Sequence, residues 1–76
     1  MREGYAIKDS RPHGWLVTRT MVAGCSCPVT IWAEDEEQAM IFRRLKDAKS
    51  MLRTIRQEHR RPERVHIVDP RWRVIV

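Results

Sequence analysis

The chain has 76 residues, 42% of them hydrophobic and 33% charged, with 15 Lys and Arg against 10 Asp and Glu for a net charge of +5. That length holds one small domain and excludes a multidomain enzyme, and the composition is that of a globular chain rather than a disordered one. No apolar run approaches the ~18–20 residues of a membrane span and none follows Met1, so the expectation is a cytoplasmic chain with no membrane segment and no signal peptide.

Glycine and proline divide the first half into short runs of β character. Tyr5-Ala6-Ile7-Lys8 alternates apolar with small or polar positions, and Trp15 to Met21 is rich in aromatic and β-branched residues. The segment Ser10-Arg11-Pro12-His13-Gly14 between them predicts an antiparallel hairpin. A further turn region, Val22 to Pro28, leads to Val29-Thr30-Ile31-Trp32-Ala33. That run places Val29, Ile31 and Ala33 on one face and Thr30 and Trp32 on the other. A three-stranded meander is the simplest outcome.

From Val29 to Arg61 there is neither Gly nor Pro, and the apolar period lengthens to that of a helix near Asp35. Asp35, Glu36 and Glu37 suit a helix N-terminus, where the macrodipole is positive. Ala39 and Phe42 open an apolar face that Leu45, Ala48, Leu52, Ile55 and His59 continue at spacings of 3, 4, 3 and 4, with Met51 alongside and Pro62 as the stop. Whether 35–59 is one helix or two stays open; the pattern favours a short helix, a kink and a longer helix.

One position further round, Lys46, Lys49, Arg53, Arg56 and Arg60 repeat the same spacing. The basic stripe thus runs beside the apolar one, and its long stems can cover the core edge while the charges stay in water. Arg56, Arg60 and Arg61 also suit the negative end of the helix dipole, so a solvated face accounts for them. The stripe is nevertheless the best candidate binding surface. Charge is segregated as well: residues 1–42 carry 4 basic and 6 acidic side chains, including Glu34 to Glu37, whereas residues 43–76 carry 11 and 4. Such polarity attracts nucleic acid or an acidic protein surface.

Arg64 to Val68 reads as a strand with Val65 and Ile67 inward. After Asp69-Pro70, Trp72, Val74 and Val76 alternate with Arg71, Arg73 and Ile75; proline lacks the donor of a central strand, so this is an edge strand or a hairpin return. The fold class is α+β: an antiparallel sheet ordered β-β-β-α(α)-β along the chain, with a possible extra C-terminal edge strand and one face covered by the helix. The expected core is Tyr5, Ile7, Val17, Ile31, Ala39, Phe42, Leu45, Ala48, Leu52, Ile55, Val65 and Ile67. Trp15, Trp32 and Trp72 cannot all be central, so at least one belongs on the far face, a candidate interface for a partner or for a homodimer.

Chemistry-bearing residues are sparse. Cys25 and Cys27 are too close for an easy disulfide, and on a strand they would share one side, as two ligands of a metal do. Zinc needs four ligands, and His13, His59 and His66 stand at no motif spacing, so no metal or cofactor is expected. Ser10, Ser26 and Ser50 lack nucleophile-elbow context, and glycines 4, 14 and 24 form no phosphate loop. No catalytic residue stands out, and the chain reads as non-enzymatic. His13 is expected in a solvated turn, His59 near the last helix carbonyls and His66 facing outward.

Tyr5-Ala6-Ile7, Gly14-Trp15-Leu16, Trp32-Ala33-Glu34-Asp35 and then Ala39-x-x-Phe42 with Ala48 resemble a pattern of small bacteriophage and prophage proteins: strands, W-x-x-D-x-x-x-A-x-x-F, a helix bearing an alanine, and a strand. The resemblance implies a sheet with one helical face and an accessory phage role in the host-cell cytoplasm, inhibitors of host defence such as anti-CRISPR proteins among them. It implies no catalytic residue, and neither the Cys25-x-Cys27 pair nor the basic helix belongs to the pattern.

The leading expectation is therefore an interaction protein that binds and inhibits or modulates a host protein or ribonucleoprotein complex. The alternative is a small nucleic-acid binder contacting phosphates through Lys46, Lys49, Arg53, Arg56 and Arg60. No recognised nucleic-acid-binding motif supports the alternative.

Overall fold

Strands β1 (Ala6–Ser10) and β2 (His13–Thr20) pair antiparallel in the register Lys8↔Trp15, Asp9↔Gly14 and Ser10↔His13. The computed structural model describes residues 3–10 and 13–76, with residue 13 described by its backbone alone. The hairpin is tighter than its sequence suggests, because both strands run into segment 10–14. Its tip, Arg11 and Pro12, lies outside the described residues, as does the side chain of His13 that the sequence assigns to solvent.

Strand β3 (Val29–Ala33) joins β2, and β4 (Val65–Val68) joins β1, for an antiparallel sheet ordered β3-β2-β1-β4. Helix α1 (Leu45–Glu58) crosses one face, where Ala48, Leu52 and Ile55 are buried against Ile7, Leu16, Val65 and Ile67. Each Leu, Ile and Val side chain among them contributes roughly 1.5–3 kcal/mol by leaving water, and the Ala48 methyl about 0.8 kcal/mol. The α+β sheet with one helix-covered face is thus present as its periodicities predict.

The phase of β2 differs from expectation. Trp15 faces Ala33 and Leu16 faces Trp32, but the next pair is Thr18↔Ile31, so Val17 is an extra residue. A bulge of this kind resets the alternation. Leu16 and Trp32, which pair ahead of the bulge, face α1 in place of the expected Val17 and Ile31, and beyond the bulge Arg19 returns to that face; Leu16 is fully buried, whereas Ile31 is 41% exposed.

Residues 35–44 correct a second expectation. The Asp35 carboxylate accepts from the Glu37 N–H at 2.9 Å and caps a single 3-10 turn, Glu36–Gln38. The helix cannot continue, because the next backbone groups are used elsewhere. Met40 N–H donates to the Leu16 carbonyl at 2.7 Å, and Tyr5 and Phe42 exchange both backbone bonds at 2.7 Å. The link is extended, so Ala39 and Phe42 do not share the helical stripe. Ala39 packs on Ala6, Trp15 and Val68 across the sheet, while Tyr5, Phe42 and Leu45 sit half-buried at the margin of the helix-side core.

The pairing of Tyr5 with Phe42 explains Gly4. A Cβ there would stand 2.4 Å from the Phe42 carbonyl oxygen and 2.8 Å from Ile41 Cγ2, closer than atoms approach.

Residues 69–76 return along the outer edge of β4. Asp69 N–H donates to Arg73 O at 2.8 Å, Ile75 N–H to Ile67 O at 2.9 Å, and Ile67 N–H to Val76 O at 3.0 Å. The expected C-terminal edge strand is present as one bridge, Val68↔Val74. Its turn closes with Trp72 N–H on Asp69 O at 2.9 Å, Pro70 at the second position and Trp72 at φ 69°. Asp69 Oδ1 accepts from the Arg71 and Arg73 N–H groups at 2.9 Å each, and Oδ2 accepts from Arg73 Nε at 3.1 Å. The Arg73 N–H above all holds this carboxyl below its ordinary range; burial opposes it, and the Arg71 N–H and the Arg73 guanidinium reinforce it.

Two measurements check these assignments. Gly4→Ala should lower stability to urea by about 1–3 kcal/mol, the usual cost of overpacking, and an unchanged midpoint would refute the close approach. The native pKa of Asp69 is depressed, so its contribution is complete above the unfolded value of about 3.9 and is lost as pH falls through the lower folded value. Melting curves of the wild type and Asp69→Asn should accordingly be well separated at neutral pH and converge below about pH 4.

Candidate interaction surface

The 3.6-residue turn of α1 sets Lys46, Lys49, Arg53 and Arg56 along one face. Lys49, Arg53, Arg56 and Gln57 rim a groove of about 560 Å³ whose floor is Leu52 and Val76. Lys46 is exposed on the turn before Lys49 and does not line it. Arg60 leaves the row altogether. The helix stops at Glu58, His59 takes extended backbone (φ −78°, ψ 139°), and Arg60 lines a second groove of about 320 Å³ with Pro28, Thr30, Trp32, Ile55 and Glu58. The expected five-residue stripe is therefore a three-cation groove with one outlier at each end.

Arg56 is fixed in place. Its Nε and Nη2 donate to the Val65 carbonyl at 3.2 and 2.7 Å, so the guanidinium joins α1 to the first residue of β4 and still borders the groove. Arg53 and Lys49 are exposed.

His59 does not bind the last helix carbonyls through its ring. Its Nδ1 accepts from the Arg61 N–H at 2.9 Å, which assigns the ring proton to Nε2, and Nε2 donates to Asp9 Oδ2 at 2.8 Å. The Trp32 and His59 rings meet edge-to-face with their centroids 6.1 Å apart. An Asp–His pair invites comparison with a catalytic dyad, but both ring nitrogens are engaged within the protein. No lone pair is left for a substrate proton. The pair ties β1 to the end of α1, and Arg19 of β2 does the same through its ion pair with Glu58.

The three tryptophans do not form one surface. Trp32 is half-buried on the helix side. Trp15 lies on the far face, only 6% exposed, with the Trp72 ring edge-on at 5.0 Å and 74° and Lys8 Nζ 5.1 Å from its centroid. Trp72, 42% exposed, covers Trp15. His66, opposite Lys8, shares that face as expected. Cys25 and Cys27 are exposed thiols in the β2–β3 loop, and among the described residues no three His, Cys, Asp or Glu side chains gather as metal ligands do.

Sequence reasoning gives no site role to Asp9, Gln57 or Val76. A signal existed for the first: Asp9 alternates with Ile7 toward the helix, and His59 closes the apolar stripe, so two polar groups at inward positions imply a mutual bond. No family model, no curated protein and no solved structure matches this chain.

Left-handed backbone costs a non-glycine residue roughly 1–2 kcal/mol, and the Trp15–Trp72 ring pair returns about 0.5–1.5 kcal/mol beyond the area it buries. Trp72→Ala should be destabilising because it keeps the strain and loses the ring. Trp72→Gly should fall between Ala and wild type in a urea titration, about 1 kcal/mol above Ala. Equal midpoints for Ala and Gly would show that residue 72 is unstrained.

Proposed function

We propose that this protein is a non-enzymatic interaction module that binds an acidic macromolecular surface through the groove beside α1. One observation carries the reading: Lys49, Arg53 and Arg56 border a floor that is apolar, made by Leu52 and Val76. Phosphodiester backbone presents charge without an apolar group to fill such a floor. An acidic protein surface presents carboxylates and an apolar anchor together, and the anchor supplies most of the affinity while the charges set encounter rate and register. The partner class is accordingly a host protein or ribonucleoprotein assembly, in keeping with the phage-like sequence pattern. Direct binding to nucleic acid is the second reading, supported by the excess of cations in residues 43–76.

Lys49→Glu/Arg53→Glu reverses two exposed charges and spares the Arg56–Val65 bond, so the fold should remain intact by circular dichroism. Partners captured from a bacterial lysate by the wild type should be lost on the double variant and weakened by salt. An identical set of captured proteins would exclude the groove. Gel shifts on duplex DNA and single-stranded RNA decide the second reading. There a phosphate binder loses about 0.7–0.9 log unit of affinity per contacted phosphate for each log of salt, and an absent shift at low salt removes it.

A further inference from the structure

The two long edges of the sheet are treated differently. The outer edge of β4 is sealed: Ile67 and Asp69 pair with residues 73–76, and the Val65 carbonyl receives Arg56. The outer edge of β3 is open, and none of the described residues pairs with it. Nothing along β3 blunts it, since Val-Thr-Ile-Trp-Ala holds no charge, proline or bulge, and Val29 and Ile31 are 38% and 41% exposed beside it.

We propose that two copies of this chain associate by antiparallel pairing of their β3 edges, joining two four-stranded sheets into one. The register that keeps all five residues in the ladder sets Ile31 against Ile31, Val29 against Ala33 and Thr30 against Trp32. On the face away from α1, the exposed Ile31 and Val29 side chains of both copies then cover one another. Charge is complementary at the ends. This register brings Glu34 of one copy opposite Pro28 of the other, beside the groove lined by Glu58 and Arg60; Glu58 is already paired with Arg19, so Arg60 is the cation left to meet Glu34. The contact is short, below the ~1,200 Å² of a standard interface, so the dimer is weak and concentration-dependent.

Sedimentation equilibrium from 10 µM to 1 mM should show the mass of the wild type rising toward twice the monomer, with β3 amides gaining protection from hydrogen exchange over the same range. Ile31→Lys sets like charges against each other on the axis and should remain monomeric with an unchanged circular dichroism spectrum. Arg60→Glu should weaken association at least tenfold, and mixing it with Glu34→Arg should restore mixed dimers. A wild type that stays monomeric throughout would overturn the proposal, as would a dimer that persists in Ile31→Lys or leaves the β3 amides unprotected. Protection of β3 only in the presence of another protein would assign the edge to a foreign strand instead.

Discussion

A four-stranded sheet has two faces and two long edges, and the described residues supply a single α-helix to cover them. Helix α1 closes one face with Ala48, Leu52 and Ile55. The other face must be closed by pieces that are not regular structure: Ala39 from the extended link, and Trp72 from the turn after β4. That demand accounts for a bulky residue at a position where glycine is usual. A glycine there would relieve roughly 1–2 kcal/mol of strain and uncover Trp15, whose burial is worth more than that. The Asp69 carboxylate, by holding Arg71 and Arg73, maintains the turn that makes the covering possible.

What could be read from the sequence divides along the line between local and distant causes. The 3-4 spacing from Leu45 to Ile55 and the alternation of Val65 and Ile67 are consequences of the elements' own geometry, and both appear as expected. Ala39 and Phe42 carry the same 3-residue spacing as a helix. Their backbone is extended because Leu16 and Tyr5, far away in the chain, take its hydrogen bonds. The bulge at Val17 is likewise a property of two strands together, and no pattern within β2 announces it. Once it is present, every side chain beyond it changes face, so Leu16 and Arg19 both point toward α1.

The cationic surface obeys the same division. Lys49, Arg53 and Arg56 share a groove because helical spacing places them there, and this much was legible. Arg60 was expected to extend the row, and it fails to because the helix ends at Glu58 and the extended His59 that follows is bonded to Asp9, 50 positions earlier. The floor of the groove was not legible, since Val76 reaches it only through pairing with Ile67. Arg56 shows how one side chain serves both levels: its guanidinium seals the edge of β4, and the same anchoring holds its charge at the rim.

The two surfaces lie on opposite flanks of α1. One groove opens toward Val76, beyond β4, and the other toward Pro28, Thr30 and Trp32 of the β3 side. Pairing through β3 would therefore leave both Lys49–Arg53–Arg56 grooves uncovered, at the two far ends of the joined sheet. A second copy and an acidic partner would not compete for the same residues. A weak dimer would instead present two identical cationic grooves in fixed relation, and a repeating or two-fold partner could engage both. Linking two modest contacts multiplies their effect through effective concentration rather than through any new contact, provided the spacing between the grooves matches that of the partner's sites. On that arrangement, a domain too small to offer a large interface would gain its hold on a partner from geometry rather than from area.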